Sequence, residues 1–213
     1  MRKSLAAALV LTIGSFAMGS AAQAVTLTPY PNPGTPNPDV YVFSAVSTGD
    51  VFGFFAGVNA ADNDVVGVSI NGAAPTVFGL SNQGSVVGQS LDFGHVVAGD
   101  TLTFVFRNLT TGTQFSSNAS ANPDGLQHAF ATRFAGSGGI PTGVQISFED
   151  LARLQGSDFD YNDAFFVFTN VANLAGGTAS ANPIPAALPL FATGFGVLGG
   201  IVLLRRRKLS RDA

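Results

Sequence analysis

An uncharged stretch near the end of the chain is the feature that most limits what it can fold into. Residues 186–204 carry no charge and are followed directly by four basic residues at 205–208. As a helix rising about 1.5 Å per residue, this stretch would be roughly 28 Å long, close to the hydrocarbon thickness of a bilayer. A basic cluster at its end stays on the cytoplasmic side and stops translocation. The sequence therefore predicts one transmembrane helix over 186–204 and a basic tail over 205–211.

The amino terminus has the three parts of a secretory signal peptide. Arg2 and Lys3 are charged, residues 5–16 are apolar, and the small residues Ala22 and Ala24 frame a cleavage site. Cleavage would leave a mature chain that begins at residue 25. Together with the stop-transfer segment, this predicts that the body of the protein is exported.

A short proline motif precedes the uncharged stretch, where residues 184–190 read Ile-Pro-Ala-Ala-Leu-Pro-Leu. Motif, apolar span and arginine block together resemble the PEP-CTERM protein-sorting signal of Gram-negative bacteria, in the variant whose motif reads like Val-Pro-Leu-Pro-Ala. The resemblance implies an inner-membrane intermediate, cleavage near the motif by an exosortase, and delivery to the cell surface or extracellular matrix. The alternative is a plain membrane anchor, which needs no proline motif. The residues assigned to sorting and processing are Ala22 and Ala24 for signal peptidase, and Ile184, Pro185, Ala186, Arg205, Arg206 and Arg207 for the tail.

The predicted exported body is strongly acidic. Outside the two targeting segments, the chain has three arginines, no lysine and twelve carboxylates. The net charge of this body is therefore −9, compared with −3 for the whole chain. Such a surface repels phosphate backbones, and we expect no nucleic-acid partner. It suits divalent cations or a neutral extracellular polysaccharide. Because the chain has no cysteine, the exported domain must be stabilised by its core and by any bound metal.

Short apolar runs separated by turn residues fill the body and predict an all-β fold, an antiparallel β-sandwich or jelly roll. Asn71-Gly72 is a hairpin signal, and Gly53 and Gly57 indicate a bulge or a close backbone approach. The unbroken apolar run 165–168 predicts a buried central strand. The predicted strands are 39–46, 51–58, 65–70, 76–80, 84–88, 91–97, 101–108, 127–134, 143–148 and 160–170.

The predicted organisation has one folded domain between targeting segments. Residues 1–24 are the signal peptide, 39–171 the β-sandwich domain, 172–183 a linker and 184–213 the sorting signal. Residues 25–38 form an arm with five prolines between 29 and 38, expected to be an extended spacer of polyproline character.

One acidic segment is a candidate calcium site. Residues 148–151 read Phe-Glu-Asp-Leu, and 156–163 read Gly-Ser-Asp-Phe-Asp-Tyr-Asn-Asp. The alternating acidic and amide residues resemble calcium loops, which direct successive oxygens to one ion that takes about six to eight ligands. The alternative is a turn in which Asp and Asn side chains accept hydrogen bonds from backbone amides. The predicted ligands are Glu149, Asp150, Asp158, Asp160, Asn162 and Asp163.

These two stretches and the apolar strand after them also resemble a domain of unknown function that is common in exported PEP-CTERM proteins. The resemblance covers residues 39–171 and implies an all-β extracellular domain.

No catalytic motif is recognisable. The chain has no cysteine nucleophile and no Gly-x-Ser-x-Gly elbow, and its two histidines, His95 and His128, lack zinc-ligand spacing. We therefore expect a structural or adhesive protein of the cell surface or polysaccharide matrix, and no enzyme. The alternatives are a calcium-dependent carbohydrate-binding module and, third, a glycoside hydrolase that uses paired carboxylates.

Overall fold

The computed structural model describes residues 24–173 of the 213-residue chain. These residues form eleven β-strands and two short 3₁₀ turns, at Ala119–Ala121 and Arg153–Gln155, and contain no α-helix. The strands are β1 (Phe43–Ala45), β2 (Gly49–Val58), β3 (Asp64–Ile70), β4 (Phe78–Gly79), β5 (Ser90–Val96), β6 (Thr101–Asn108), β7 (Gln114–Ser116), β8 (Ala129–Phe134), β9 (Gly143–Phe148), β10 (Ala164–Phe168) and β11 (Val171–Asn173).

The strands pair antiparallel and build two sheets. The first sheet has the order β11-β1-β6-β3-β4, with β7 also paired to β6, and the second has the order β5-β2-β10-β9-β8. The sheets pack face to face, since Phe104 of β6 lies 4.4 Å from Phe168 of β10 between ring centroids. Phe106 of β6 stacks on Phe148 of β9 at 4.7 Å. The predicted all-β sandwich is confirmed.

The core between the sheets is rich in phenylalanine because strands of alternating polarity turn one face inward. Full burial of one such side chain contributes about 1.5–3 kcal/mol. The predicted buried strand is β10, at the centre of the second sheet. Phe166 and Phe168 belong to the main core, while Phe165 and Val167 belong to a smaller cluster. Both faces of this strand are therefore covered, as the run without alternation predicts.

The N-terminal arm is an integral part of the domain and not the expected spacer. Leu27 packs against the smaller cluster that contains Phe165 and Val167. The backbone of Thr28 exchanges two hydrogen bonds with the side chain of Gln145, of 3.0 and 2.7 Å. These contacts cover the outer face of the second sheet, which would otherwise expose apolar side chains to water.

Several local predictions are confirmed. Asn71 and Gly72 have φ of 51° and 77° and form the turn after β3. A Cβ on Gly53 would lie 2.6 Å from the ring of Phe93, so this glycine permits a close approach. The register between β2 and β10 shifts near Gly57, which gives the predicted bulge.

Other boundaries differ from the predictions. Residues 84–88 form turns and no strand, and β7 lies between the predicted strands 101–108 and 127–134. The first predicted strand is reduced to 43–45, and the last begins at residue 164, which leaves 160–163 in a loop. β11 extends the first sheet to Asn173, two residues into the predicted linker. β11 depends on pairing with β1, which lies far away in the chain, and local sequence does not specify such a partner.

The predicted targeting segments lie almost wholly outside the described residues. Ala22, Ile184, Pro185, Ala186 and Arg205–Arg207 fall there, and of the processing residues only Ala24 is included. Among residues 24–173, no helix is both long enough and apolar enough to cross a bilayer.

Candidate metal centre

The acidic segment is the connection between the neighbouring strands β9 and β10. Phe148 and Ala164 form the last pair of these strands, so residues 149–163 close the loop at this end of the sandwich. Phe159 and Tyr161 have φ of 49° and 56°, in the left-handed region that non-glycine residues rarely occupy. Both side chains are buried in a cluster with Tyr30 of the arm. The loop is thus anchored by alternate aromatic residues, which leaves exposed Asp158 and half-buried Asp160 at its rim.

Glu149 is the organising carboxylate of this loop. It is 1% exposed, although it is the residue directly after β9. Its Oε1 accepts a hydrogen bond of 2.6 Å from the backbone N–H of Tyr161. Its Oε2 accepts one of 3.2 Å from the N–H of Phe159, and one from the Ser157 hydroxyl. The two left-handed residues thus aim their amides at one buried carboxylate. The alternative suggested by the sequence was such a turn with Asp or Asn as acceptor; here the acceptor is Glu149, while Asp160 Oδ1 accepts a bond of 3.0 Å from the Asn162 N–H.

Three of the predicted ligands converge. Carboxylate oxygens of Glu149, Asp158 and Asp160 all lie within 4.8 Å of one another. Calcium–oxygen distances are about 2.3–2.6 Å, so oxygens on opposite sides of one ion are roughly 5 Å apart. The spacing of the three carboxylates therefore fits a shared calcium ion. We call these three residues the triad.

The electrostatics of the triad favour a cation. Burial raises the pKa of Glu149, and the negative charges of Asp158 and Asp160 raise it further. Burial and the charge of Asp158 likewise raise the pKa of Asp160. A raised carboxyl pKa means that negative charge lacks compensation at that point. A divalent cation would supply the positive charge that compensates these carboxylates.

The other three predicted ligands lie beside the triad, and each takes part in a hydrogen bond. Asn162 donates to the Asp160 carboxylate through its side-chain amide, and its Oδ1 accepts a bond of 3.0 Å from Asn59. Asp163 Oδ2 accepts a bond of 2.8 Å from the Asp150 backbone N–H. Burial, and then the charge of Asp150, raise the pKa of Asp163. These residues support the loop and extend the acidic surface.

The two histidines are separate from the triad. His95 is exposed on β5, an edge strand, and its Nδ1 lies 2.8 Å from Asp50. His128 is fully buried, stacks on Phe115 at 4.0 Å and bonds Asp124 through Nε2 at 3.1 Å. His95 thus lies at the edge of its sheet, and His128 is part of the packing.

Comparison with known families bears on this loop and on the sandwich. Residues 46–170 match a family model described as domain of unknown function DUF4114. The chain belongs to this family. Such domains are common in exported proteins, in keeping with the resemblance seen in the sequence. No curated protein and no solved structure matches the chain. The matched region of the DUF4114 domain includes the whole triad.

A second group of polar residues in the DUF4114 domain was not predicted from the sequence. Asp62 and Asp64 precede the predicted strand 65–70 and are not among the predicted ligands, yet Asp64 is fully buried. Asn82 and Asn108 are also buried and bond these carboxylates. A signal was present in the sequence: the Asp-x-Asp spacing of Asp158 and Asp160 occurs a second time at Asp62 and Asp64, in a chain with few charges.

Proposed function

We propose that this chain is an exported surface or matrix protein whose DUF4114 domain is a structural or adhesive β-sandwich stabilised by calcium. The convergence of the triad carboxylates within 4.8 Å is the observation that carries the proposal. Glu149, Asp158 and Asp160 would hold the ion. Calcium would contribute the positive charge that a body with three arginines and twelve carboxylates does not provide.

The place of the triad explains what an ion would do. The loop 149–163 closes the β9–β10 pair, and the arm packs against its aromatic residues through Tyr30, 4.6 Å from Tyr161 between ring centroids. An ion on the triad would tie the first residue of the loop to its rim. A domain without disulfides would gain a rigid end in this way, as suits a persistent structural or adhesive module.

The calcium proposal can be tested on the full chain, purified in detergent and freed of metal by chelation. Affinities of extracellular calcium modules are on the order of 10⁻⁴–10⁻³ M, so the titration must reach millimolar calcium and beyond. At a hundredfold excess over Kd, binding adds about 2.7 kcal/mol, which raises Tm by roughly 5–10 °C for a domain of this size.

Asp160→Asn keeps the shape of the side chain and removes one triad charge, so it should sharply reduce this stabilisation. Asp92→Asn, at an exposed position on β5, is the matched control and should behave as the parent does. Equal calcium heats and equal Tm gains in the parent and Asp160→Asn would show that the loop is a hydrogen-bonded turn only.

We propose further that the carboxyl-terminal segment is a PEP-CTERM-like sorting signal. Signal peptidase and an exosortase are then the processing partners, and the mature protein reaches the cell surface through an inner-membrane intermediate. Intact-mass measurement on surface protein from the native host should find that the chain ends near residues 184–186. A mass that retains residues 205–207 would instead identify a plain anchor.

A calcium-dependent carbohydrate-binding module is the second candidate, because Asp158 is exposed. An ion held at the rim would keep coordination positions open for the hydroxyl groups of a neutral polysaccharide. Retention on an immobilised polysaccharide in calcium, lost in chelator and in Asp160→Asn, would favour this candidate over a purely structural role.

A further inference from the structure

A second acidic group lies beside the first residues of the loop 149–163, around a buried carboxylate with one oxygen that has no hydrogen-bond partner. Asp64 begins β3 and is fully buried. Its Oδ2 accepts a hydrogen bond of 2.7 Å from the Asn82 side chain, but its Oδ1 is buried without a hydrogen-bond partner. Buried polar atoms in folded proteins are nearly always paired, and an unpaired carboxylate oxygen is among the most unfavourable exceptions.

The position of Asp64 is firmly fixed. Its backbone N–H donates to Asn82 Oδ1 at 2.8 Å, and its carbonyl accepts from the Asn82 N–H at 3.1 Å. Asp64 also pairs in register with Asn108 of β6. Because the main chain is held on both sides, the carboxylate cannot leave the interior to reach water.

Two further acidic residues surround this point. The Asn108 side-chain amide donates to Asp62 Oδ2 at 2.7 Å and to the Asp150 carbonyl at 3.2 Å, so one nitrogen holds both residues next to Asp64. Burial, and then the charges of Asp150 and Asp62, raise the pKa of Asp64 to about 7. The ion pairs found among residues 24–173 are two His–Asp contacts, which involve none of these acids.

Protonation of Asp64 would satisfy its unpaired oxygen less well than a bound cation would. A neutral Asp64 would carry its hydrogen on Oδ1 or Oδ2. On Oδ1 it would be a buried donor without an acceptor, and on Oδ2 it would oppose the amide hydrogen of Asn82. A divalent cation would satisfy Oδ1 and at the same time offset the charges of the neighbouring carboxylates.

We propose that Asp62, Asp64 and Asp150 form a second divalent-cation site, for calcium or an ion of similar oxygen-ligand chemistry. It lies between the start of β3 and the loop 149–163 and is independent of an ion on the triad. Only the triad brings three carboxylates within 4.8 Å among the described residues, so the second site must tighten as it fills. Asp62 is half-buried at the end of a turn and is the ligand with room to move.

Calcium stoichiometry tests this proposal on the full chain, measured by equilibrium dialysis and calorimetry after chelation. The parent should bind two ions. Asp64→Asn, which keeps the size of the side chain and its acceptor for Asn82, should bind one. Asp160→Asn should also bind one, and the double variant none. The control Asp92→Asn should bind two.

The outcomes separate the two sites. One ion in the parent that persists in Asp64→Asn and vanishes in Asp160→Asn would overturn the second site and leave the triad. One ion in Asp160→Asn that is lost in the double variant supports the second site even if the triad binds nothing. Asp62→Asn, at the half-buried ligand, repeats the test if Asp64→Asn fails to fold by circular dichroism, and its retention of both ions would overturn the proposal.

Discussion

Replacement of Glu149 by Gln tests whether one buried carboxylate holds the loop, apart from any metal. Glu149 accepts hydrogen bonds from Ser157, Phe159 and Tyr161. A glutamine whose oxygen takes the place of Oε2 keeps the bonds to Ser157 and Phe159. Its amide group would then face the Tyr161 N–H, which becomes a buried donor without an acceptor.

The expected cost follows from these bonds. An unsatisfied buried donor costs about 1–3 kcal/mol, and the two remaining bonds weaken because a neutral amide replaces a charged acceptor. The pKa of the Glu149 carboxyl group is raised, so removal of its buried negative charge offsets part of this cost. We expect a net loss of roughly 2–3 kcal/mol in the free energy of unfolding, or a fall of about 5–10 °C in Tm.

The assay is thermal and urea unfolding in chelator, so that calcium does not contribute. Asp158→Asn is the matched control. It removes a charge from the same loop at an exposed position and should change stability by less than about 0.5 kcal/mol. If Glu149→Gln unfolds at the temperature of the parent in chelator, the hydrogen bonds to Glu149 do not hold the loop and the reasoning is refuted.

Three further predictions concern the core and pH dependence. Phe166→Ala should cost about 3–5 kcal/mol by urea unfolding because the ring is fully buried between the sheets, and Phe165→Ala, half-buried on the outer face, should cost clearly less. Burial lowers the pKa of His128, so the unfolded chain takes up the proton first and the stability advantage of the parent over His128→Gln should shrink as pH falls below about 6.5. Asp64 has a raised pKa of about 7, so the unfolded chain loses this proton at lower pH than the folded chain does. In chelator, the parent should therefore lose stability relative to Asp64→Asn as pH rises from 4 to 7, by up to roughly 4 kcal/mol. A stability difference that does not change with pH would contradict the prediction for His128 or for Asp64, whichever variant shows it.

The sequence predicted those parts of the fold that depend on local signals. Alternating runs identified most strands, and Asn71-Gly72 marked its turn because both positions need positive φ. The central strand 165–168 was recognisable because it is apolar on both faces. The packing of the arm was not predictable, since Tyr30 finds its partner Tyr161 at a distance of 131 positions along the chain.

The candidate site, like the fold, was predictable from the sequence only in part. Asp158 and Asp160 were recognisable from their spacing, and Glu149 from its nearness in sequence. The role of Glu149 as acceptor for two left-handed residues was not visible, because neither the positive φ of Phe159 and Tyr161 nor the burial of their rings follows from a local sequence signal. The second group depends on pairing of β3 with β6 and on the loop beyond β9, so that no local pattern joins its members.

A bound ion should also be visible as protection of the loop from trypsin. Residues 24–173 contain three arginines, of which Arg107 and Arg133 lie in the strands β6 and β8 while Arg153 is exposed in the loop 149–163. Cleavage after Arg153 requires local opening of the loop, and any ion bound only to the closed loop reduces the open population by the factor 1 + [L]/Kd. At calcium a hundredfold above Kd, cleavage at this bond should slow by about two orders of magnitude in the parent. Asp160→Asn, which lacks one triad ligand, should be protected by calcium clearly less than the parent, as judged by the masses of the fragments over time. Equal rates for the parent in calcium and in chelator would mean that the loop is closed by its hydrogen bonds alone.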